Sequence, residues 1–436
     1  MAGRYSFKSI WEDLALGELV LSFKLAVGPN KLLLAYSAVL ATCLLGFLMD
    51  HIGKSVVVCS ENLPQYGLTV RQTELDLYIQ HPEQTASFID QYEADGARQG
   101  VFSTLWTFMA SRFHHATTQL LNLGKTNIFE NVEYVIGNIW QCFRAVAWAF
   151  RFHLFYSVIY FAFSFFVFSF IGGAICRCAA LEFAQEERPG LCEAFQYAYE
   201  KYRSFLSAPL IPLGMVGIFS LVVLLIGFGG TIPVVGDLLL SLLFGFLLFF
   251  GLIIVLLGIG VAAGGLLLYP SIAYEGTNGL DSIGRSFSYV LNRPVRMFYY
   301  VFMSSAFGTF FYLILRLMIF LVLRFTYRLL ETGMALAHHG DKIERVWVRP
   351  VFLNILNKAT GATNWSEAVA SYVIYMFLLI IVGFLLAYII SYIFSAATIT
   401  YALMREKVDH VGYDQVYLHL EQVKGQMQPG KKNAAD

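Results

Sequence analysis

Glu182 is followed twenty-one residues on by Arg203, and Glu275 is followed at the same interval by Arg296. A carboxylate and a guanidinium partly shielded from water make a strong, directional pair. Such a pair either clamps two helices together or handles a charged substrate or a proton. The strings around the two acids agree. Ala180-Leu181-Glu182 leads to Gly190-Leu191, Phe195-Gln196-Tyr197 and Arg203-Ser204-Phe205, while Ala273-Tyr274-Glu275 leads to Gly279-Leu280, Phe287-Ser288-Tyr289 and Arg296-Met297-Phe298. Thr398, Tyr401 and Arg405-Glu406 form a partial third copy. Gln196 with Arg203, and Arg285 with Arg296, are the groups expected to reach back to Glu182 and Glu275. Matching depth on one membrane face is expected for the two acids, with an amphipathic helix after each.

Other chemistry is sparse. No zinc-protease, nucleophile-elbow or phosphate-loop pattern occurs. His114-His115 and His338-His339 are adjacent pairs, and neighbours on a helix point about 100° apart, so neither pair shares one metal face. No metal and no cofactor is expected. Arg316 is the one basic residue well inside an apolar run; it is a functional candidate that also lies near enough to a helix end to snorkel. Cys59 and Cys142 are the two cysteines of the long segment after the first apolar run, and a bridge between them would close a loop of about eighty residues. Gly260 and Gly264, with Gly258 and Gly265, make a small-residue face suited to close helix packing.

These residues need elements to hold them, and composition says which. Hydrophobic residues make up 57% of the chain and charged residues 14%, with a mean hydropathy of +0.61. That is far from the quarter charged of soluble domains. Apolar runs at Leu32 to Met49, Phe152 to Cys176, Ala208 to Gly227, Leu238 to Leu268, Met297 to Leu323 and Tyr372 to Leu403 give about six spans of an all-α, polytopic helical bundle. The fourth and sixth runs exceed one bilayer crossing and should tilt or continue beyond it. Gly227 to Pro233 breaks the third run from the fourth and forces a tight hairpin.

Basic residues precede span one (Lys24, Lys31), lie between spans two and three (Arg188, Lys201) and between four and five (Arg285, Arg293), and follow span six (Arg405, Lys407). By the positive-inside rule these segments and both termini are cytoplasmic. The chain then divides into an amphipathic N-terminal segment (1–31), the first span (32–49), a helical extracytoplasmic segment (50–151), a core with spans two to five (152–323), an outer loop (324–371), the sixth span (372–403) and a cytoplasmic tail (404–436). Within the second of these outer stretches, Arg324, Arg328, Lys342, Arg345, Arg349 and Lys358 run against the rule. Ile139-Trp140, Phe143, Val146-Ala147 and Phe150 read as an interfacial helix, with Trp140 and Trp148 as anchors.

Tyr269 to Gly276, continuing through Ser282-Ile283-Gly284-Arg285-Ser286-Phe287 to Arg293-Pro294, resembles a group of bacterial multi-pass proteins similar to the membrane domain fused to some glycerophosphodiester phosphodiesterases. The resemblance implies the helical bundle and a bacterial inner membrane. It does not carry the hydrolase, because there is no room for the phosphodiesterase barrel. The expected function is non-enzymatic: organising or assisting membrane components or lipid at the cytoplasmic interface. A transporter is the alternative, favoured by repeats, glycines and prolines but lacking carboxylates near mid-membrane. The lipid bilayer and other membrane proteins are the expected partners; zero net charge gives no reason to expect nucleic acid.

Overall fold

A computed structural model describes residues 15–63, 68–92, 97–121, 128–336, 342–352, 355–356, 359, 361 and 363–417. In chain order the elements are α1 (Leu16–Ala26), α2 (Pro29–Ile52), β1 (Val56–Leu63), β2 (Leu68–Thr73), α3 (Glu74–Gln80), α4 (Thr85–Tyr92), β3 (Ala97–Gln99), α5 (Val101–Leu121), α6 (Ile128–Phe152), α7 (Leu154–Gln185), α8 (Leu191–Glu200), α9 (Tyr202–Gly229), α10 (Val235–Gly264), α11 (Leu268–Glu275), α12 (Gly279–Asn292), α13 (Pro294–Leu336), α14 (Lys342–Val346) and α15 (Trp365–Asp409). Among the described residues six helices are long and apolar enough to cross a membrane: α2, α7, α9, Val235–Glu275, α13 and α15. The protein is an all-α helical membrane protein.

The fourth of these helices is α10 and α11 joined by a 3-10 turn at Gly265–Leu267. Pro270 explains the joint, because it lacks the N–H that the Leu266 carbonyl would otherwise accept. This helix, α13 and α15 have 41, 43 and 45 residues. At 1.5 Å per residue each is about twice the thickness of a hydrocarbon core. For α13 this extends the helix well past Leu323, where the apolar run ends. Nothing breaks the ladder there, and Arg328 pairs with Glu331 one turn on at 2.9 Å.

Chain packing divides the protein into two units: Met1–Ser37, Phe168–Ile314 and Phe384–Asp436 form the first, and Ala38–Val167 with Leu315–Gly383 the second. In unit 1, α1 is docked by Ser22, whose hydroxyl meets the Tyr392 phenol at 3.0 Å, and by Phe23, which stacks on Phe311 with centroids 4.1 Å apart. The α9–α10 hairpin is apolar all round, as a lipid-facing pair is. Its turn holds Val234 at φ 68°, and Asp237 sits in the first turn of α10, where the helix dipole favours an anion. Phe287 of α12 lies against Gly260 and Gly264, so the small-residue face receives an aromatic ring rather than another span.

Unit 2 carries a small antiparallel sheet in the order β2-β1-β3, with Val56 opposite Gln99 and Val58 opposite both Thr73 and Ala97. The sequence reading of 50–151 gave only helices; the β-branched run Val56-Val57-Val58 is what favours the pleated strand. Val56, Leu75, Val101, Leu105 and Phe108 pack with Ala145, Trp148 and Ala149. Asp50, at the end of α2, accepts from the backbone N–H groups of Phe102 and Ser103 at 3.0 and 2.8 Å and caps α5. Trp140 faces outward as an interfacial anchor should. Trp148 does not: it is wholly buried, because it lies about 80° around α6 from Trp140, on the face that packs with Val56 and Leu75.

Candidate functional site

The last turn of α11 leaves carbonyl groups without helical partners, and its dipole places partial negative charge there. Both are answered from other elements. Tyr197 of α8 donates its hydroxyl to the Ile272 carbonyl at 2.7 Å, and the Arg177 guanidinium of α7 donates to Ala273 O at 3.0 Å. The Tyr417 backbone N–H donates to Tyr274 O at 2.8 Å, and Lys201 Nζ to Gly276 O at 2.5 Å. Gly276 ends the helix at φ 65°, and its Cα lies against the Tyr417 ring, so a side chain there would be both strained and obstructed. Arg177, only 1% exposed, also lies 4.4 Å over the Tyr197 ring.

Glu275 adds a full charge to this helix end. Its carboxylate pairs with Arg285 of α12, with Arg405 of α15 at 3.2 Å, and accepts the Tyr401 hydroxyl at 2.5 Å. Arg405 in turn donates to Gln415 O at 2.6 Å. Tyr289, the tyrosine of the second Phe-x-Tyr, donates to Asp409 at 2.5 Å. Burial pushes its phenol above the ordinary tyrosine value, and the Asp409 carboxylate pushes it further the same way.

Glu182, in the last turn of α7, pairs with Lys31 of α2, a residue 1% exposed, and with Arg188 at 3.3 Å. Asn30 ties the same corner by donating to Pro189 O at 2.9 Å. The two acids lie at one end of unit 1: the Phe183 ring is 5.5 Å from the Tyr413 ring, and the Tyr413 carbonyl accepts the Tyr274 hydroxyl at 2.5 Å. Each copy of the repeat therefore docks on the next. Tyr197 of the first reaches the helix end of the second, and Tyr289 of the second reaches Asp409, which follows the third.

The structure thus brings together Glu275 and Arg285 but gives Glu182 partners other than Arg203. Arg203 is exposed, Gln196 bonds Glu200 at 3.2 Å, and Arg296 is half-buried at the start of α13. The equal spacing of 21 residues carries each arginine to the start of a new helix. The second phenylalanines also differ: Phe205 is buried against Gly173, whereas Phe298 is 72% exposed. Lys31, Arg177, Lys201, Arg405 and Asp409 complete the site; Lys31, Lys201 and Arg405 read in the sequence as topology-setting cations, and none of the five is expected there as a partner of Glu182 or Glu275. Arg405-Glu406 in the third partial copy was the available signal.

Arg316 lies in unit 2. It is 7% exposed, with Nε donating to Phe352 O at 3.1 Å and its guanidinium 5.5 Å from the Phe352 ring, so it is held inside the protein rather than extended to water. Burial pushes the Cys142 thiol up from its ordinary value; the Cys59 side chain, and with it the bridge, lies outside the described residues. His338 and His339 lie outside them as well. Among the described residues no three histidine, cysteine or carboxylate groups converge as a metal site. No family model matches the chain, and neither a curated protein nor a solved structure is similar to it.

Proposed function

We infer that this protein organises the membrane around it, holding anionic lipid and docking other membrane components at the cytoplasmic face of a bacterial inner membrane. The carrying observation is on α8 and α12 and their flanks. Tyr199, Leu280 and Leu291 are exposed, as are the cations Arg203 and Arg293, and all five lie in the connections that follow Glu182 and Glu275. Apolar side chains with neighbouring cations are what a helix lying in a headgroup layer presents. The buried charges behind them are spent on helix ends and on one another, so this site holds shape rather than reacts. The likeness of Tyr269 to Gly276 to the membrane domain fused to glycerophosphodiester phosphodiesterases belongs to this proposal, as a bundle without the hydrolase. The positive-inside rule supports cytoplasmic termini.

Native mass spectrometry of protein released from mixed nanodiscs tests the reading. Phosphatidylglycerol should be retained over phosphatidylcholine, and the preference should fall at least threefold in Arg203→Gln/Arg293→Gln. Equal retention of both lipids by the wild type would overturn it.

A further inference from the structure

Three residues that the sequence leaves far apart meet in unit 2. Ser55 lies just before β1, Glu74 opens α3, and His153 is the single residue between α6 and α7. The Ser55 hydroxyl is 3.2 Å from His153 Nδ1, and His153 Nε2 is 2.5 Å from Glu74 Oε1. The other carboxylate oxygen of Glu74 accepts the Val57 backbone N–H at 3.1 Å. This pattern assigns the proton on the ring. With Glu74 as acceptor, Nε2 carries the hydrogen, which leaves Nδ1 as the acceptor for the Ser55 O–H.

Access and rigidity are divided as a nucleophile and its base require. Ser55 is exposed, the His153 side chain is largely covered, and Glu74 is 1% exposed. The buried Trp148 ring stands edge-on to the imidazole, with centroids 5.0 Å apart, and fixes its plane. A hydroxyl on a base that is itself oriented by a buried carboxylate is the arrangement that activates serine. A purely architectural His–Glu tie would need no exposed hydroxyl on the remaining nitrogen.

The surroundings indicate the substrate class. Ile52 ends the apolar helix three residues before Ser55, and Leu154 and Phe155 begin the next one directly after His153; all three are exposed. α6 leads into His153 with Ile136, Ile139, Trp140 and Phe143 exposed, the spacing of a helix lying in a bilayer surface. Ser55 and His153 thus sit where two apolar spans meet the interface.

We propose that Ser55, His153 and Glu74 form a serine acyl-hydrolase site for carboxylic esters of amphiphiles held in the bilayer surface. The Ser55 oxygen bonds to the ester carbonyl carbon as its proton passes to His153 Nδ1, and Glu74 balances the imidazolium. The tetrahedral species then breaks its bond to the alcohol oxygen, which leaves with the proton from Nδ1. Water attacks the acyl-Ser55 ester, gives a proton to Nδ1, and releases the acid as Ser55 regains its hydrogen. The site adds a reaction to a chain whose local motifs signal none, because its members are 19 and 79 residues apart.

An alkyl fluorophosphonate added to the full chain in nanodiscs tests this. One phosphonyl adduct should form, on the peptide bearing Ser55. Ser55→Ala should lose the adduct and all hydrolysis of a short-chain p-nitrophenyl ester while melting as the wild type does, since the replaced group is small and exposed. Glu74→Gln should label at least a hundredfold more slowly. Absence of an adduct on Ser55, under conditions that fully label a reference serine hydrolase, would overturn the proposal. So would undiminished labelling and turnover in Ser55→Ala.

Discussion

Replacing Glu275 by Gln keeps the size of the side chain and removes its charge. The carboxylate is 8% exposed and serves three donors. Tyr401 is fully buried, and its hydrogen bond to a charged acceptor is worth about 1.5–3 kcal/mol, of which an amide retains roughly half. Arg405, 12% exposed, loses its counter-charge in a partly desolvated place, which costs about 2 kcal/mol. Arg285 is 43% exposed, so solvent screening holds its share below about 1 kcal/mol. The sum is about 3 kcal/mol, or a fall of about 3 °C in melting temperature for a chain of this length. Thermal unfolding in mild detergent, followed by intrinsic fluorescence, measures it, with Arg203→Gln as the control expected to stay within about 1 °C. Glu275→Gln melting with the wild type, or Arg203→Gln costing as much, would refute the assignment of Arg405, Tyr401 and Arg285 as the partners that matter.

Gly276→Ala should lower stability by about 1–2 kcal/mol through the left-handed backbone alone, with the contact to Tyr417 adding to it, as read in the same melt. Tyr289→Phe should cost about 1.5–3 kcal/mol at pH 7, because Asp409 loses its donor. Since the Tyr289 pKa is raised in the folded state, its contribution is fully present below the ordinary tyrosine value of about 10 and is lost as pH rises beyond it. The stability gap between wild type and Tyr289→Phe should therefore narrow between pH 10 and 11, and a constant gap would contradict the shift. Arg316→Leu should destabilise the protein by about 1–3 kcal/mol, since the Phe352 carbonyl is left without its donor; an unchanged melting temperature would return Arg316 to a snorkelling role.

The spans were legible because twenty apolar residues in a row have few other uses, and the Gly227 to Pro233 breaker placed the hairpin turn by backbone chemistry alone. The repeat was legible as spacing. Its contacts were not, since the partner of Glu182 comes from α2, 151 residues earlier, and no local period encodes such a pairing. Phe205 and Phe298 occupy the same place in the repeat and opposite environments, because the helix between acid and aromatic has 10 residues in one copy and 14 in the other. The small sheet escaped because its Val56-Val57-Val58 run lies only a few residues after the end of a long apolar helix at Ile52. Ser55, Glu74 and His153 left no signal: each stands at an element boundary, where sequence fixes the break but not what the break faces.

The central claim is that the two complete copies of the repeat present their acids and amphipathic helices at one membrane face. Cys192 on α8 is naturally exposed and reports the first copy; Leu280→Cys in a Cys192→Ser background reports the second from α12. A membrane-impermeant maleimide should label both positions in inverted vesicles and neither in intact spheroplasts. Labelling of the two positions from opposite sides would contradict the account.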